Sequence, residues 1–537
     1  MPTHFKMHYK VAIVGAGITG LFAAWRLAKH DPGLASQIVV LESTKRIGGR
    51  LKTSEAEHLG KRVLVEEGGM RFLEDHRLLL RLLRELGLDS KKTSFGMGDE
   101  QNLYFLRGRR FTRGDAKRDH HKIWGEIYGL SGSERGKSPF AIVEGVMKSI
   151  LRGAQIEKGS SRTDDWKPEN PQSWARFRQM EYPSKSGLRI YQWGFRALLH
   201  HEGISNECIQ MLMDTGGFTI PYEDMVGAGT GLQLIASFPD NPNFFTLQDG
   251  YEELPRLVAA ELAKLGVHGR SQFRVQAIKK GKGEKNFKLE SEDGRFVSAQ
   301  KVISAIPAVP LRALLPKIDD ARMDPKIRSD VAKIVHMPLT KINLFFDDEW
   351  WQSLKITHGG CFTDLPLAQV YFFKINGLDE KRKFTVVTIY SDGRRATYWR
   401  QLQQLGPDFS SDAAAFKILS QSDSVICKTL VVDHCIDQLQ PMFGVELKAP
   451  VFATISMWGA DERLGEGDHQ WAVGADDFTI RQRLAAPSEN FFICGEAVSD
   501  YQDWVEGALR SADRILQEGF ALPPFLNQPP TPRKPNA

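Results

Sequence analysis

Cysteine is scarce and unpatterned in this chain of 537 residues. It holds five (Cys208, Cys361, Cys427, Cys435 and Cys494), and no two stand at C-x-x-C spacing. That argues against a disulfide frame or a zinc ribbon and fits reduced thiols in a cytoplasmic protein. His434-Cys435 has no second pair at ligand spacing, so no metal is expected. A run of about 20 uninterrupted apolar residues is also lacking, so no transmembrane helix is expected. Met1 to Lys10 is polar and charged, without the apolar stretch of a secretory signal. Charge of one sign is missing too. The net +5 is small for this length and favours neither a nucleic-acid nor a membrane partner. The one basic run, 107–122, holds a single aromatic, Phe111, and not a series interleaved for stacking bases, so it reads as a solvated face. No internal repeat is visible. What remains is 42% hydrophobic and 26% charged, the balance of a soluble globular protein, with length for two or three domains.

The most informative stretch runs from Tyr9 to Arg50. An apolar, β-branched run, Val11 to Val14, breaks into Gly15, Gly17 and Gly20; Leu21 to Lys29 has helical composition; Ile38 to Leu41 is a second strand that ends on Glu42. This is one βαβ unit with its glycines at the first strand-to-helix turn, the pattern of a dinucleotide site. Gly15 permits the tight turn, Gly17 lets a pyrophosphate approach the backbone, and Gly20 lets helix and strand pack closely. The helix start offers N–H groups and the positive end of its dipole to the phosphates. Glu42 stands where ribose hydroxyls need an acceptor, with Ser43 beside it.

Arg46-Ile-Gly48-Gly49-Arg50 follows at once, and Val65-Glu-Glu-Gly68-Gly69-Met70-Arg71 repeats the idea of a strand, a glycine pair and an arginine. Backbone amides and a guanidinium can converge there on phosphate oxygens or a flavin edge. Near the other end, Glu489 to Ile493 is an apolar strand running into Gly495 and Glu496, and Trp504-Val505-Glu506-Gly507 opens a helix to about Gln517. Together these motifs resemble the flavin-dependent amine oxidase superfamily, and Gly69-Met70-Arg71 resembles its L-amino acid oxidase branch. The resemblance implies FAD as cofactor. It places Glu496 near the ribityl and pyrophosphate region, the Val505 N–H at the flavin N1–C2=O edge, and Val275 in backbone contact with the adenine.

The resemblance also assigns chemistry. Arg71 would hold a substrate carboxylate with Tyr371, Lys341 would reach flavin N5 through a water, and Trp504 would wall the substrate cavity, with Trp471 as a second candidate. The segment around Trp471 departs from the more glycine- and threonine-rich sequence common in the family. The expected activity is FAD-dependent oxidation of an L-amino acid by hydride transfer to flavin N5. The products are a 2-oxo acid, ammonia and, with O2 as acceptor, hydrogen peroxide. An L-amino acid 2-monooxygenase and an oxidase of another primary amine are the alternatives. Asp214 or Asp364 facing the cavity would suggest a basic substrate.

The expected fold is α/β. A doubly wound, Rossmann-like FAD domain comes from 1–75, 243–330 and 450–520, and a mixed-sheet substrate domain from 76–130 and 331–449. Residues 131–242 form a helical insertion, and 521–537 a disordered tail. Leu79, Leu82, Leu83 and Leu86 predict an amphipathic helix stopped by Gly87. Tyr104 to Thr112 predicts a hairpin, Gly153 to Gln172 an exposed loop, and Lys280 to Lys285 a hairpin turn. Strands are expected at 273–278, 287–290, 295–297 and 301–304. By resemblance the protein is a homo-oligomer.

Overall fold

A computed structural model describes residues 8–153, 171–236, 243–280, 284–373, 384–410, 416–418, 425–460 and 465–528. The expected loop at 153–172 and the turn at 280–285 fall largely outside the described residues.

The strand His8–Val14 is the spine of the first sheet. It lies parallel to Ile38–Leu41 on one side and to Phe296–Ser304 on the other. Val11 and Ile13 face one apolar layer, which contains the helices Ile18–His30 and Val505–Phe520. Ala12 and Val14 face the other, as a period of two requires for a sheet covered on both faces. Phe296–Ser304 is one strand of nine residues where the sequence suggested two. Its first half pairs antiparallel with Phe287–Ser291 and its second half parallel with Phe491–Ile493. The polar stretch Ser298-Ala299-Gln300-Lys301 hid this continuity. The pairing brings a strand from near residue 490 into the same sheet as the first strand of the chain, with Phe296–Ser304 between them.

The second sheet runs in the order 425–426, 452–458, 339–346, 385–392, 369–372, 359–363, 103–106 and 109–112. It is antiparallel except where 359–363 runs alongside 103–106, and the last two strands are the expected hairpin. Helices Pro139–Gly153, Pro171–Gln179, Phe195–His201, Asn206–Gly216 and Ala228–Ala236 pack around Phe177, Leu198 and Ile209. They are fastened to the first domain by a buried pair: Arg178 Nε and Nη2 donate to Asp477 at 2.9 and 3.0 Å, and Arg178 Nη1 donates to Gln233 at 2.6 Å. The α/β fold class with a mixed second sheet and a helical block is therefore present as expected.

Two local expectations meet different outcomes. The helix Arg77–Leu86 ends at Gly87, whose φ of 78° is the left-handed cap that glycine adopts without strain. The tail expected from residue 521 does not start there. Leu522 and Phe525 are buried, Phe525 meets Phe22 and Trp25 edge-on, and Arg26 donates to the Pro523 carbonyl at 2.8 Å. A Pro-rich composition suggested disorder, but one phenylalanine in a ready-made apolar slot anchors this segment. Residues 529–537 lie outside the described residues. No helix among the described residues is long and apolar enough to cross a membrane, and all five cysteines are buried free thiols.

Candidate active site

One elongated cavity runs from the strand ends of the first sheet to the face of the second. At its outer end Val14 leads into Gly15, whose φ is 104°, and a Cβ there would stand 2.7 Å from the Ala305 carbonyl oxygen. A Cβ on Gly20 would lie 2.1 Å from the Gly15 oxygen, so only glycine lets the helix approach its strand. Gly20 accordingly packs behind the cavity. Gly17 is different. A Cβ there would meet nothing closer than the Gly49 Cα at 3.9 Å, so protein packing does not demand glycine, whereas a ligand passing over the turn does. Helix Ile18–His30 starts with no side-chain cap and no acid in its first turn, although Ile18 and Thr19 are buried and border the cavity. A buried, uncapped helix start is a site for an anion. Glu42 ends its strand with the carboxylate accepting from the N–H groups of Ala16 and Thr44, both at 2.9 Å, and from the Ser43 hydroxyl at 3.1 Å. Val275 lines the same end.

Further in, Gly49, Arg50, Gly69 and Met70 border the cavity, and the Gly69 N–H donates to the Arg50 carbonyl at 2.9 Å. Gly495 and Glu496 arrive from the C-terminal segment, with Trp504 and Val505 at the start of the last helix. That helix also lacks a side-chain cap, and Val505, its first residue, borders the cavity. Every residue expected to touch the cofactor, Gly20 excepted, borders this one cavity. Its glycine turn, two uncapped helix starts and acidic strand end suit a dinucleotide whose far ring system lies against the last helix.

In the middle of the cavity Arg50 and Glu496, both expected, are joined by His469, Glu466, Asp468 and Asp503, charges that the sequence reading missed. Arg50 pairs with Glu496 at 2.6 Å. Glu496 also meets His469 Nδ1 at 2.8 Å, and His469 Nε2 meets Glu466 at 3.2 Å. Burial pushes the Glu496 carboxyl up, but Arg50 and His469 outweigh it and hold it down at about 2. Asp468 and Asp503 bring their carboxylates within 4.8 Å of Glu496 and of each other. Burial and the Glu496 charge push Asp468 up to about 8. These residues come from segments over 400 apart in sequence from Arg50. Only the acidic Glu466-Gly-Asp-His469 stretch ahead of Trp471 hinted at them.

At the inner end lies Arg71. Its guanidinium donates to the Tyr371 hydroxyl at 2.9 Å and to Met97 Sδ at 2.8 Å, and its carbon sits 4.6 Å from the Phe244 ring centre and 5.5 Å from that of Phe95. Tyr371 is fully buried and passes the chain on to Gln369 at 2.8 Å. It stands behind Arg71 and does not border the cavity. Lys341 does border it, with Nζ donating to the carbonyls of Glu66 at 2.9 Å and Gly68 at 2.6 Å. Desolvation lowers the Lys341 ammonium, with Glu66 opposing and Arg71 adding to the effect. Burial in turn raises the Glu66 carboxyl. Phe218, Ile220, Tyr390, Trp458 and Trp504 complete the inner walls. Trp471 does not reach the cavity: its Nε1 donates to Ser499 at 3.1 Å. Neither Asp214 nor Asp364 borders it either. Asp214 is taken up by Tyr128, Gln210 and Arg395.

Comparison with known proteins agrees with this geometry. Residues 18–515 match the family model for flavin containing amine oxidoreductase. Aplysianin-A of Aplysia kurodai is 25% identical, over 96% of this chain and 92% of its own length. L-amino acid oxidase Bs29 of Bothriechis schlegelii is 22% identical over 93% and 88%, and the L-amino-acid oxidase of Protobothrops flavoviridis 24% over 93% and 86%. The solved structure of a putrescine oxidase bound to putrescine shares the fold, with a TM-score of 0.66 at 17% identity, covering 96% of this chain and all of that one. The chain belongs to the flavin-containing amine oxidoreductases, and its cofactor is FAD.

Proposed function

We propose that this flavin amine oxidase acts on L-amino acids, converting them to 2-oxo acids and ammonia with O2 as electron acceptor. The observation that carries the reading is Arg71. It is a guanidinium bordering the inner cavity, gripped from behind by Tyr371 and Met97 and flanked by aromatic faces. A planar fork held this way suits a carboxylate, which a simple amine lacks.

Bound FAD supplies the acceptor for a hydride leaving the carbon that bears the amine, and O2 regenerates it with release of hydrogen peroxide. The chain's own residues do the rest. Arg71 fixes the carboxylate and so orients the α-carbon. Tyr371 and Gln369 keep Arg71 from swinging. Trp504, held edge-on by His76 at 5.0 Å between ring centres, bounds the amine side and keeps water out. Lys341, its proton affinity lowered by burial, can give up or take a proton at Nζ near neutral pH. The relatives named as L-amino acid oxidases lend support at 22–25% identity.

The test is to supply single L-amino acids and, in parallel, amines without a carboxylate, and to measure peroxide, 2-oxo acid and amide. Peroxide and 2-oxo acid from L-amino acids support the reading. Amide would identify the 2-monooxygenase, and turnover of carboxylate-free amines alone would remove Arg71 from its role.

A further inference from the structure

His469 sits where no role has been assigned. It is fully buried, and both ring nitrogens face carboxylate oxygens, Nδ1 toward Glu496 at 2.8 Å and Nε2 toward Glu466 at 3.2 Å. A neutral imidazole carries one N–H and would leave one nitrogen lone pair pointing at a carboxylate, whereas an imidazolium donates to both. We propose that His469 is a positioning residue of the FAD site: held as an imidazolium between Glu466 and Glu496, it neutralises Glu496 and thereby leaves the Arg50 guanidinium to the anionic cofactor.

The charge balance gives the reason. Arg50 Nη2 lies 2.6 Å from Glu496 and Nη1 3.4 Å from His469 Nδ1, so guanidinium and imidazole share one carboxylate. With a neutral ring, two buried glutamates face a single guanidinium, and the group presents net negative charge to a ligand that carries phosphates. With a protonated ring the charges of these four groups, Arg50, His469, Glu466 and Glu496, cancel. Other charged groups surround the ring. Asp468 precedes it on its own strand, and Asp503 is within 4.8 Å of Glu496. His336 lies opposite across the strand pair, with Arg312 3.2 Å from it. Burial opposes the charge on His469, and Arg50 does so more weakly, but Glu496 and Glu466 outweigh both and raise its proton affinity above that of a free imidazole. Cofactor binding is thus linked to one proton. Affinity is highest where the ring is charged and falls as pH rises through its raised pKa, up to tenfold per pH unit for a one-proton linkage.

The experiment strips the flavin from purified protein and titrates FAD back by fluorescence quenching between pH 6 and about 9.5, a range set by the free-imidazole value upward. The wild type should bind more weakly as pH rises through the His469 transition. Compared in an Asp468→Asn background, which removes the neighbouring carboxyl that titrates at about 8, His469→Gln should bind roughly ten- to a hundredfold more weakly at pH 6.5 and lose that transition. Glu466→Gln keeps the imidazole and an amide oxygen to accept from it but removes one negative charge, and should move the transition to lower pH without abolishing it. Equal affinity with and without His469→Gln in that background at pH 6.5, an unchanged pH profile in that variant, or an unmoved transition in Glu466→Gln would each overturn the proposal. Failure of the wild type itself to rebind FAD would instead count against the cofactor assignment.

Discussion

Arg71 owes its position to soft and neutral neighbours: a thioether, a phenol and two rings. Such a nest orients a guanidinium while leaving its charge uncancelled by those contacts. Replacing Arg71 by Lys should keep the charge but lose the fork, raising KM for L-amino acids roughly a hundredfold while the absorption spectrum of bound flavin stays the same. Loss of the flavin would mark Arg71 as structural. Asp468 offers a test of a different kind. Its carboxyl is pushed by burial from the usual carboxylate range up to about 8, so between about pH 4 and 8 the folded protein holds a proton that the unfolded chain releases. Stability must therefore fall as pH rises through that window. Asp468→Asn should melt at a higher temperature than wild type near pH 8, with the difference shrinking toward pH 4, as followed by calorimetry. Single residues differed sharply in how readable they were. Gly15, Gly17 and Glu42 are legible because they act through a local spacing. His469, Glu466 and Asp468 are not, because their meaning comes from partners such as Arg50 that only the fold brings near.

At the scale of elements, the last helix does two jobs at its first turn. Val505 borders the cavity, while the Glu506 carboxylate accepts the N–H groups of Leu78 and Leu79, at 3.3 and 3.0 Å, at the start of helix Arg77–Leu86. One helix start thus caps another and fixes Trp504 between them. Glu506→Ala leaves two buried donors without this acceptor and should cost about 1–3 kcal/mol each at most. It should also loosen FAD, readable as a lower melting temperature together with faster flavin release on dilution. Helix Arg77–Leu86 was legible from its leucine period and its glycine stop. The strand Phe296–Ser304 was legible only in halves, because a strand that serves two different neighbours need not show one unbroken apolar pattern.

At the scale of the molecule, the cavity is closed by residues from Val14 to Ala508, so FAD acts as a cross-link between distant parts of the chain. Ligand binding to the native state alone stabilises it in proportion to the logarithm of saturation, about 4 kcal/mol at a thousandfold excess over Kd. Flavin-stripped protein should accordingly melt at a lower temperature and recover on adding FAD. The insertion helices depend on a different tie. Arg178→Met removes one of two guanidinium partners from the buried Asp477, leaving Arg481 at 3.1 Å, with an expected cost of at most about 3–5 kcal/mol. Asp477→Leu in the same background should recover part of it, measured by denaturant melts. The α/β class and the convergence of both chain ends on one dinucleotide were legible, since motifs at each end asked for the same ligand. The inner cavity walls were not, because Phe218, Tyr390 and Trp458 are ordinary apolar residues until the two sheets and the helical block are assembled.

The order of strands in the first sheet carries a consequence for biosynthesis. His8–Val14 finds one neighbour within 40 residues, but its other partner is Phe296–Ser304. On a ribosome adding roughly 5–20 residues per second, that β-branched edge stays open for roughly 15–60 s. The half-made domain is then a sticky template for any passing strand. Trapping ribosome-bound chains halted near residue 200 and about 60 residues beyond Ser304, where the partner strand has cleared the exit tunnel, would show it: the shorter one should bind chaperones through its first 41 residues, and the longer one should have let them go. The nucleotide cannot join at either stage, because the helix that begins at Val505 has yet to be synthesised.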